Sequence, residues 1–302
     1  MRDEHATSIA AMGTAITPEL VEASQRLYAP HHEPAPAGVT VTRDRSYGPD
    51  ERNRLDVFSI GDGGAKPVLL FVHGGGFVRG DKVLPGSPYY DNVGLWAATH
   101  GFVGVTMTYR LAPAHQYPAG VVDLAAAVAW LRANVASFGG DPDAIVVLGQ
   151  SAGAAHAAMY AARPDLSPGG RVDVAGIALM SGIYDFSRFG PGPTLNGYLP
   201  DEPGLAARAS SVAGLVASNL PVLFVVSELD PPAFQQQAML LANALFERDG
   251  HFPNVVFMPR HNHISQIAHL GAQDVDDLVL SARLAEFIRT SARARAGAAA
   301  PH

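Results

Sequence analysis

Short runs of Val, Ile, Leu and Phe recur along the chain, separated by segments with helical apolar spacing or by clusters of Gly and Pro. Runs of this length and β-branched content predict strands at Val39 to Arg43, Leu55 to Ile60, Val68 to Val72, Phe102 to Thr108, Ala144 to Leu148, Val174 to Met180, Val222 to Val226 and Val255 to Met258. The first two alternate apolar and polar residues and are joined through Gly48-Pro49-Asp50, as suits antiparallel strands at a sheet edge. From the third onward the runs are apolar throughout, which strands covered on both faces require. The pattern therefore predicts an α/β protein with a mostly parallel, eight-stranded sheet flanked by helices. The clearest helices are Val121 to Val135 and Gln235 to Arg248, where apolar residues return once per turn.

Three segments fall outside this rhythm. Pro18 to Tyr28 predicts a helix with Thr17 as N-cap and Pro18 in the first turn, followed by the Pro-rich PHHEPAPAG, so residues 1–38 are expected to form a cap or lid. Residues 186–214, with GPGPTLNGYLPDEPG, are too rich in Gly and Pro for regular structure and are expected as a substrate-facing insertion. Around that insertion, residues 39–290 are expected to form the main α/β domain. The low-complexity end, 291–302, is expected to fray.

The length of 302 residues, 48% of them hydrophobic, suffices for one large domain with a full core. The formal net charge of −7, without clustered Lys and Arg, argues against a nucleic-acid surface. The absence of cysteine excludes disulfides, thiolate nucleophiles and cysteine-ligated metals. The opening MRDEHATSIAAMG carries early acids and no sustained apolar core, so it reads poorly as a secretory signal. No stretch offers the roughly 20 uninterrupted apolar residues of a membrane span. The expectation is a soluble, cytoplasmic protein.

Candidate chemistry begins at Gly149-Gln150-Ser151-Ala152-Gly153, a G-x-S-x-G pattern lying directly between a buried strand and a helix. A sharp turn there lifts the Ser151 hydroxyl above the sheet, and small flanking residues let strand and helix approach. A serine hydroxyl is a weak nucleophile and needs a base and an orienting acid, found on loops after later strands in the order acid, then histidine. After PVLFVV comes SELDPP, offering Glu228 and Asp230; after VVFM comes PRHNHIS, offering His261 and His263. His263 is read as the base and His261 as a packing or solvent-facing neighbour. An H-x-H metal site lacks a third ligand cluster, so no metal is expected. HGGGF, residues 73–77, follows a strand and presents bare backbone N–H groups fit to hold an oxyanion. The competing phosphate cradle, with Gly74, Gly76 and Gly80, lacks an immediate helix and a following G-K-[ST].

HGGGF, then YRLAPAHQYPAG at 109–120, then GQSAG, resemble the hormone-sensitive-lipase-like esterases of the α/β-hydrolase fold, over roughly residues 39–290. The resemblance implies cofactor-free hydrolysis of carboxylic esters under a small helical cap; the short Ala and Gly residues around the approach suggest small to medium acyl or aryl groups. It further implies Ser151 as nucleophile, Asp230 as acid, His263 as base, and the N–H groups of Gly75, Gly76 and Ala152 as oxyanion donors. Phe77 and His156 are expected to border the pocket, and a homodimer is compatible with the family. Two features depart from that pattern: Gln150 with Gly153-Ala154 in the elbow, and HNHIS around the base. Both are more similar to the kynurenine-formamidase-like branch. An amidase or formamidase using the same residues is therefore an alternative, and a non-catalytic ligand-binding protein on the same fold is another.

Overall fold

The computed structural model describes residues 3–61, 63–190, 192–274 and 278–299; of the segments singled out above, 1, 2, 62, 191, 275–277 and 300–302 lie outside them. One eight-stranded sheet runs β1 (Val39–Ser46), β2 (Arg54–Ile60), β3 (Lys66–Val72), β4 (Val103–Met107), β5 (Gly140–Gln150), β6 (Gly176–Met180), β7 (Val222–Leu229) and β8 (Val255–Asn262). Its spatial order is β1-β2-β4-β3-β5-β6-β7-β8, with β2 antiparallel to both neighbours and every other pair parallel.

The continuous apolar runs have a simple cause. Side chains alternate across a strand, so Val68, Leu70 and Val72 enter one core layer while Leu69 and Phe71 enter the other. Ile145 and Val147 oppose Val146 and Leu148 in the same way, as do Ile177 and Leu179 with Ala178 and Met180. Neither face meets water, so neither set of positions carries polar residues.

Helices supply both covers. In chain order they are α1 (Asp3–Met12), α2 (Pro18–Tyr28), α3 (Asp91–Thr99), α4 (Ala119–Asn134), α5 (Ala152–Ala162), α6 (Pro193–Tyr198), α7 (Leu205–Arg208), α8 (Val212–Ser218), α9 (Pro232–Asp249), α10 (Ser265–Ala268) and α11 (Leu278–Ala299). Helices α4, α5, α8 and α9 pack on the first layer; α3, α10 and α11 pack on the second, where Ile9 of α1 and Tyr28 of α2 join them. Thr17 caps α2 as its sequence predicts, its Oγ1 accepting from Leu20 N at 3.2 Å.

Several expected boundaries are corrected. Strands β7 and β8 run past their apolar cores to Leu229 and Asn262, because β8 is an edge strand that accepts Pro259 without losing a ladder bond it needs. The Gly- and Pro-rich insertion is not irregular: α6, α7 and α8 form between its breakers. The expected fraying from 291 is replaced by helix as far as Ala299, since Ser291 is buried beside β6 and Arg295 pairs with Asp173 at 3.6 Å.

Two charge clusters brace the antiparallel edge. Asp56, fully buried on β2, receives Lys82 Nζ at 2.9 Å and Arg43 at 2.8 Å, while Lys82 also reaches Asp44 and Arg43 also reaches Asp91. Asp123 on α4 accepts the backbone N–H of Arg110 at 2.7 Å and its guanidinium at 2.8 Å. The segment Ala119–Phe138 is long and apolar enough to cross a membrane, yet its Val121, Leu124, Val128 and Leu131 are buried against the sheet with Asp123 among them.

Replacing Asp123 by Ala leaves the Arg110 amide and a largely sequestered guanidinium without their acceptor. The expected loss is about 2–4 kcal/mol of unfolding free energy, checked by a urea melt with an unchanged slope.

Candidate active site

The tight link between β5 and α5 sets the site. A Cβ on Gly153 would lie 2.0 Å from the Val72 carbonyl oxygen, so only glycine lets the first turn of α5 sit this close to β3. The chain reverses within one residue, and Ser151 takes φ 55° and ψ −117°, a region costly for any residue with a side chain. Its N–H donates to Met180 O at 2.8 Å, which ties the turn to β6. Ser151 lines a cavity of about 510 Å³.

The candidate acid and base, Asp230 and His263, follow the ends of β7 and β8. Asp230 is fully buried, and its Oδ1 lies 2.7 Å from His263 Nδ1. Its Oδ2 accepts from Ser227 N at 2.8 Å and from Ser181 Oγ at 2.5 Å. Glu228 instead points outward, its Oε2 accepting from Arg260 N at 2.6 Å, so of the two acids in SELDPP only Asp230 meets the histidine. His263 lines the same cavity as Ser151, and its Nε2 has no hydrogen-bond partner among the described residues. The ring of Phe234 lies 4.5 Å from the imidazole, centroid to centroid, and keeps it dry.

His261 takes a different direction. It is buried beside Tyr28 and His269, with Nδ1 3.1 Å from Ser265 Oγ, so the H-x-H pair does not converge on one point. Among the described residues no three His, Asp or Glu side chains gather as metal ligands.

The glycine loop after β3 brings Gly75 and Gly76 to the cavity, opposite Ala152, whose N–H opens α5 and has no helical acceptor. Gly75 has φ 120°, and a Cβ there would meet the Arg79 carbonyl at 2.0 Å. The loop is fastened from behind: Tyr109 Oη donates to His73 O at 2.8 Å, and the two rings stack at 4.4 Å. This contact explains why HGGGF and YRLAP occur together, because one motif anchors the other.

Phe77 lines the cavity and stacks on Tyr198 at 3.9 Å. The expectation for His156 is corrected. It lies behind Phe77, edge-on to that ring at 5.3 Å and to Tyr109 at 4.7 Å, and does not line the cavity. Five residues beyond Ser151 on α5, it faces the helix–sheet core and not the opening of the elbow.

Several residues of the site carried no motif signal. Gln150 Nε2 and Gln266 Nε2 both donate to the His263 carbonyl, at 3.0 and 2.9 Å, and Ser181 holds Asp230. The only sequence clue for Ser181 is topological: it directly follows β6, at the carboxyl end of a parallel strand, where sites of such sheets collect. Walls of the cavity come from Val21 and Gln25 of α2 on one side and from Ile183, Phe189 and Leu195 on another.

The BD-FAE family model matches residues 55–245. Esterase LipQ of Mycobacterium tuberculosis is 31% identical over 248 residues, covering 75% of this chain and 58% of LipQ. Esterase LipC of the same organism is 37% identical over 149 residues, covering 46% of this chain and 36% of LipC. The chain thus spans about half or less of the length of these relatives. Among solved structures, esterase B of Lactobacillus rhamnosis superposes with a TM-score of 0.76 at 17% identity, over 98% of this chain and 99% of that one, which establishes the α/β-hydrolase fold.

Burial holds three histidines neutral. Desolvation pushes His73 down to about 4 and His156 down to about 3, and holds His261 well below the usual range. As pH falls below 6.5 the unfolded chain takes up protons that these folded side chains refuse, so their contribution destabilises the fold towards acid with a slope approaching three protons. Melting curves between pH 6.5 and 5 are expected to show that slope reduced by about one proton in a His156→Leu variant.

Proposed function

The chain belongs to the BD-FAE family, and from that premise we propose that it hydrolyses carboxylic esters by acyl transfer through Ser151. The observation that carries this reading is the pairing of Asp230 with His263 Nδ1 at 2.7 Å while Nε2 has no hydrogen-bond partner among the described residues, beside the cavity that Ser151 lines.

His263 Nε2 takes the hydroxyl proton as Ser151 Oγ attacks the ester carbonyl. Asp230 holds the imidazole in the Nδ1–H tautomer and stabilises the imidazolium that forms. Negative charge on the carbonyl oxygen is met by the N–H groups of Gly75, Gly76 and Ala152, which need no rearrangement because the loop and the helix start are already fixed. The tetrahedral intermediate collapses as His263 returns the proton to the departing alkoxide. Water then enters, gives its proton to His263 and attacks the acyl-enzyme, and the acid leaves with Ser151 restored.

Ile183, Phe189, Leu195 and Phe234 make an apolar wall suited to an acyl or aryl group, and a cavity of about 510 Å³ supports small to medium ones. Residues 1–38 and 186–214 act as the cap in this reading, supported by Val21 and Gln25 on one side and Phe189 and Leu195 on the other. The names of LipQ and LipC as esterases point the same way.

A panel of p-nitrophenyl esters of increasing chain length, with an anilide and N-formylkynurenine as amide arms, tests the class directly. Ester turnover well above amide turnover is expected, and the reverse would move the protein to the amidase alternative. Ser151→Ala and His263→Ala are each expected to lower turnover by about 10⁶, and Asp230→Asn by about 10⁴, while Glu228→Gln stays close to the parent. A fluorophosphonate probe should label Ser151 in the parent and not in Ser151→Ala; an unlabelled parent would end the proposal.

A further inference from the structure

Resting on the relay proposed above, we infer that Ser181 is a positioning residue, which fixes the charge and aim of Asp230 by closing a hydrogen-bonded ring around the acid–base pair. Ser181 directly follows β6, is buried, and is held at φ 47° with its N–H donating to Val225 O at 2.9 Å. Its Oγ stands 2.5 Å from Asp230 Oδ2 and 2.9 Å from Gln266 Nε2.

The direction of these bonds follows from what each atom is able to do. Gln266 Nε2 lies 2.9 Å from the His263 carbonyl, which only accepts, so the amide must turn its nitrogen that way. The same nitrogen then donates to Ser181 Oγ, while Oε1 lies farther off at 3.1 Å. The hydroxyl oxygen thus accepts from the amide, and its single proton goes to the Asp230 carboxylate, which only accepts. The ring runs from Asp230 Oδ2 through Ser181 and Gln266 to the His263 backbone, and returns through the imidazole to Asp230 Oδ1. Gln150 braces the same carbonyl from the nucleophile's side at 3.0 Å.

Asp230 therefore accepts two hydrogen bonds on Oδ2 and leaves Oδ1 to the imidazole. In a fully buried place each donor stabilises the carboxylate's charge. Removing the Ser181 hydroxyl takes a charge-assisted donor from the anion, so the Asp230–His263 pair binds its proton more tightly, whichever partner carries it. The base is then blocked over a wider acidic range. A residue that merely fills space would lower activity at every pH without moving that range.

The positive φ supplies the control. Glycine occupies it without strain and alanine does not, whereas both lack the hydroxyl. The experiment measures kcat/KM for p-nitrophenyl acetate against pH, together with the rate of fluorophosphonate labelling at Ser151, in the parent, Ser181→Ala and Ser181→Gly. Both variants are expected to move the acid limb of both profiles to higher pH by roughly one unit, with the alkaline plateau lowered by less than about tenfold. Should Ser181→Ala fail to fold, Ser181→Gly carries the comparison, with circular dichroism confirming its fold. An unmoved limb with uniform loss, or a limb that moves in the alanine variant alone, overturns the role given to the hydroxyl. Failure of the parent to label or turn over is a different result, and it overturns the relay itself.

Discussion

The site depends on one close contact, the approach of Gly153 at the start of α5 to the Val72 carbonyl at the end of β3. Any side chain at 153 would push helix and strand apart. Because they meet, the chain turns within a single residue, and Ser151 is driven to a positive φ that costs about 1–3 kcal/mol. The burial of α5 between the sheet and α4 and α8 offsets that strain. Val72 also leads directly into the glycine loop, so the same contact sets the hydroxyl against the candidate oxyanion donors. The Ser151 hydroxyl and the glycine-loop amides are thereby aligned by packing and not by a chance meeting of loops.

Other parts of the chain keep this arrangement stiff. Tyr109 grips the loop through the His73 carbonyl, and Arg110 beside it is anchored on α4 through Asp123. At the antiparallel edge, Lys82 reaches in from the same loop region to a fully buried Asp56. A loop so rich in glycine has much conformational entropy to lose on ordering, and these side-chain anchors are what oppose that loss.

The sheet was the most legible part of the sequence, because a strand covered on both faces has no choice but to be apolar throughout. Ser151 was legible too, since a turn of this shape demands small residues at fixed offsets. Asp230 and Glu228 are indistinguishable by type and nearly by position; what separates them is that one faces inward beside β6 and the other outward to Arg260. Ser181 and Gln266 were hidden for the same reason, as their partners lie in segments remote along the chain. His156 misled because a polar residue near the elbow suggests the pocket, whereas here it is a neutral ring packed among aromatics. The end of the chain misled in the opposite sense: Ala and Arg look like low complexity, yet both favour helix, and Ser291 and Arg295 give that helix something to hold.

Asp230 and Phe234, which covers the imidazole, are separated by a single short step into α9. An insertion there would displace the carboxylate and the ring that covers the imidazole together. Further walls come from α2 and from the region of Ile183 to Leu195, neither of which contains Ser151, Asp230 or His263. A change in those walls would reshape the cavity and leave the Asp230–His263 contact in place, whereas a change of chain length between 230 and 234 would disturb the contact and its cover at once.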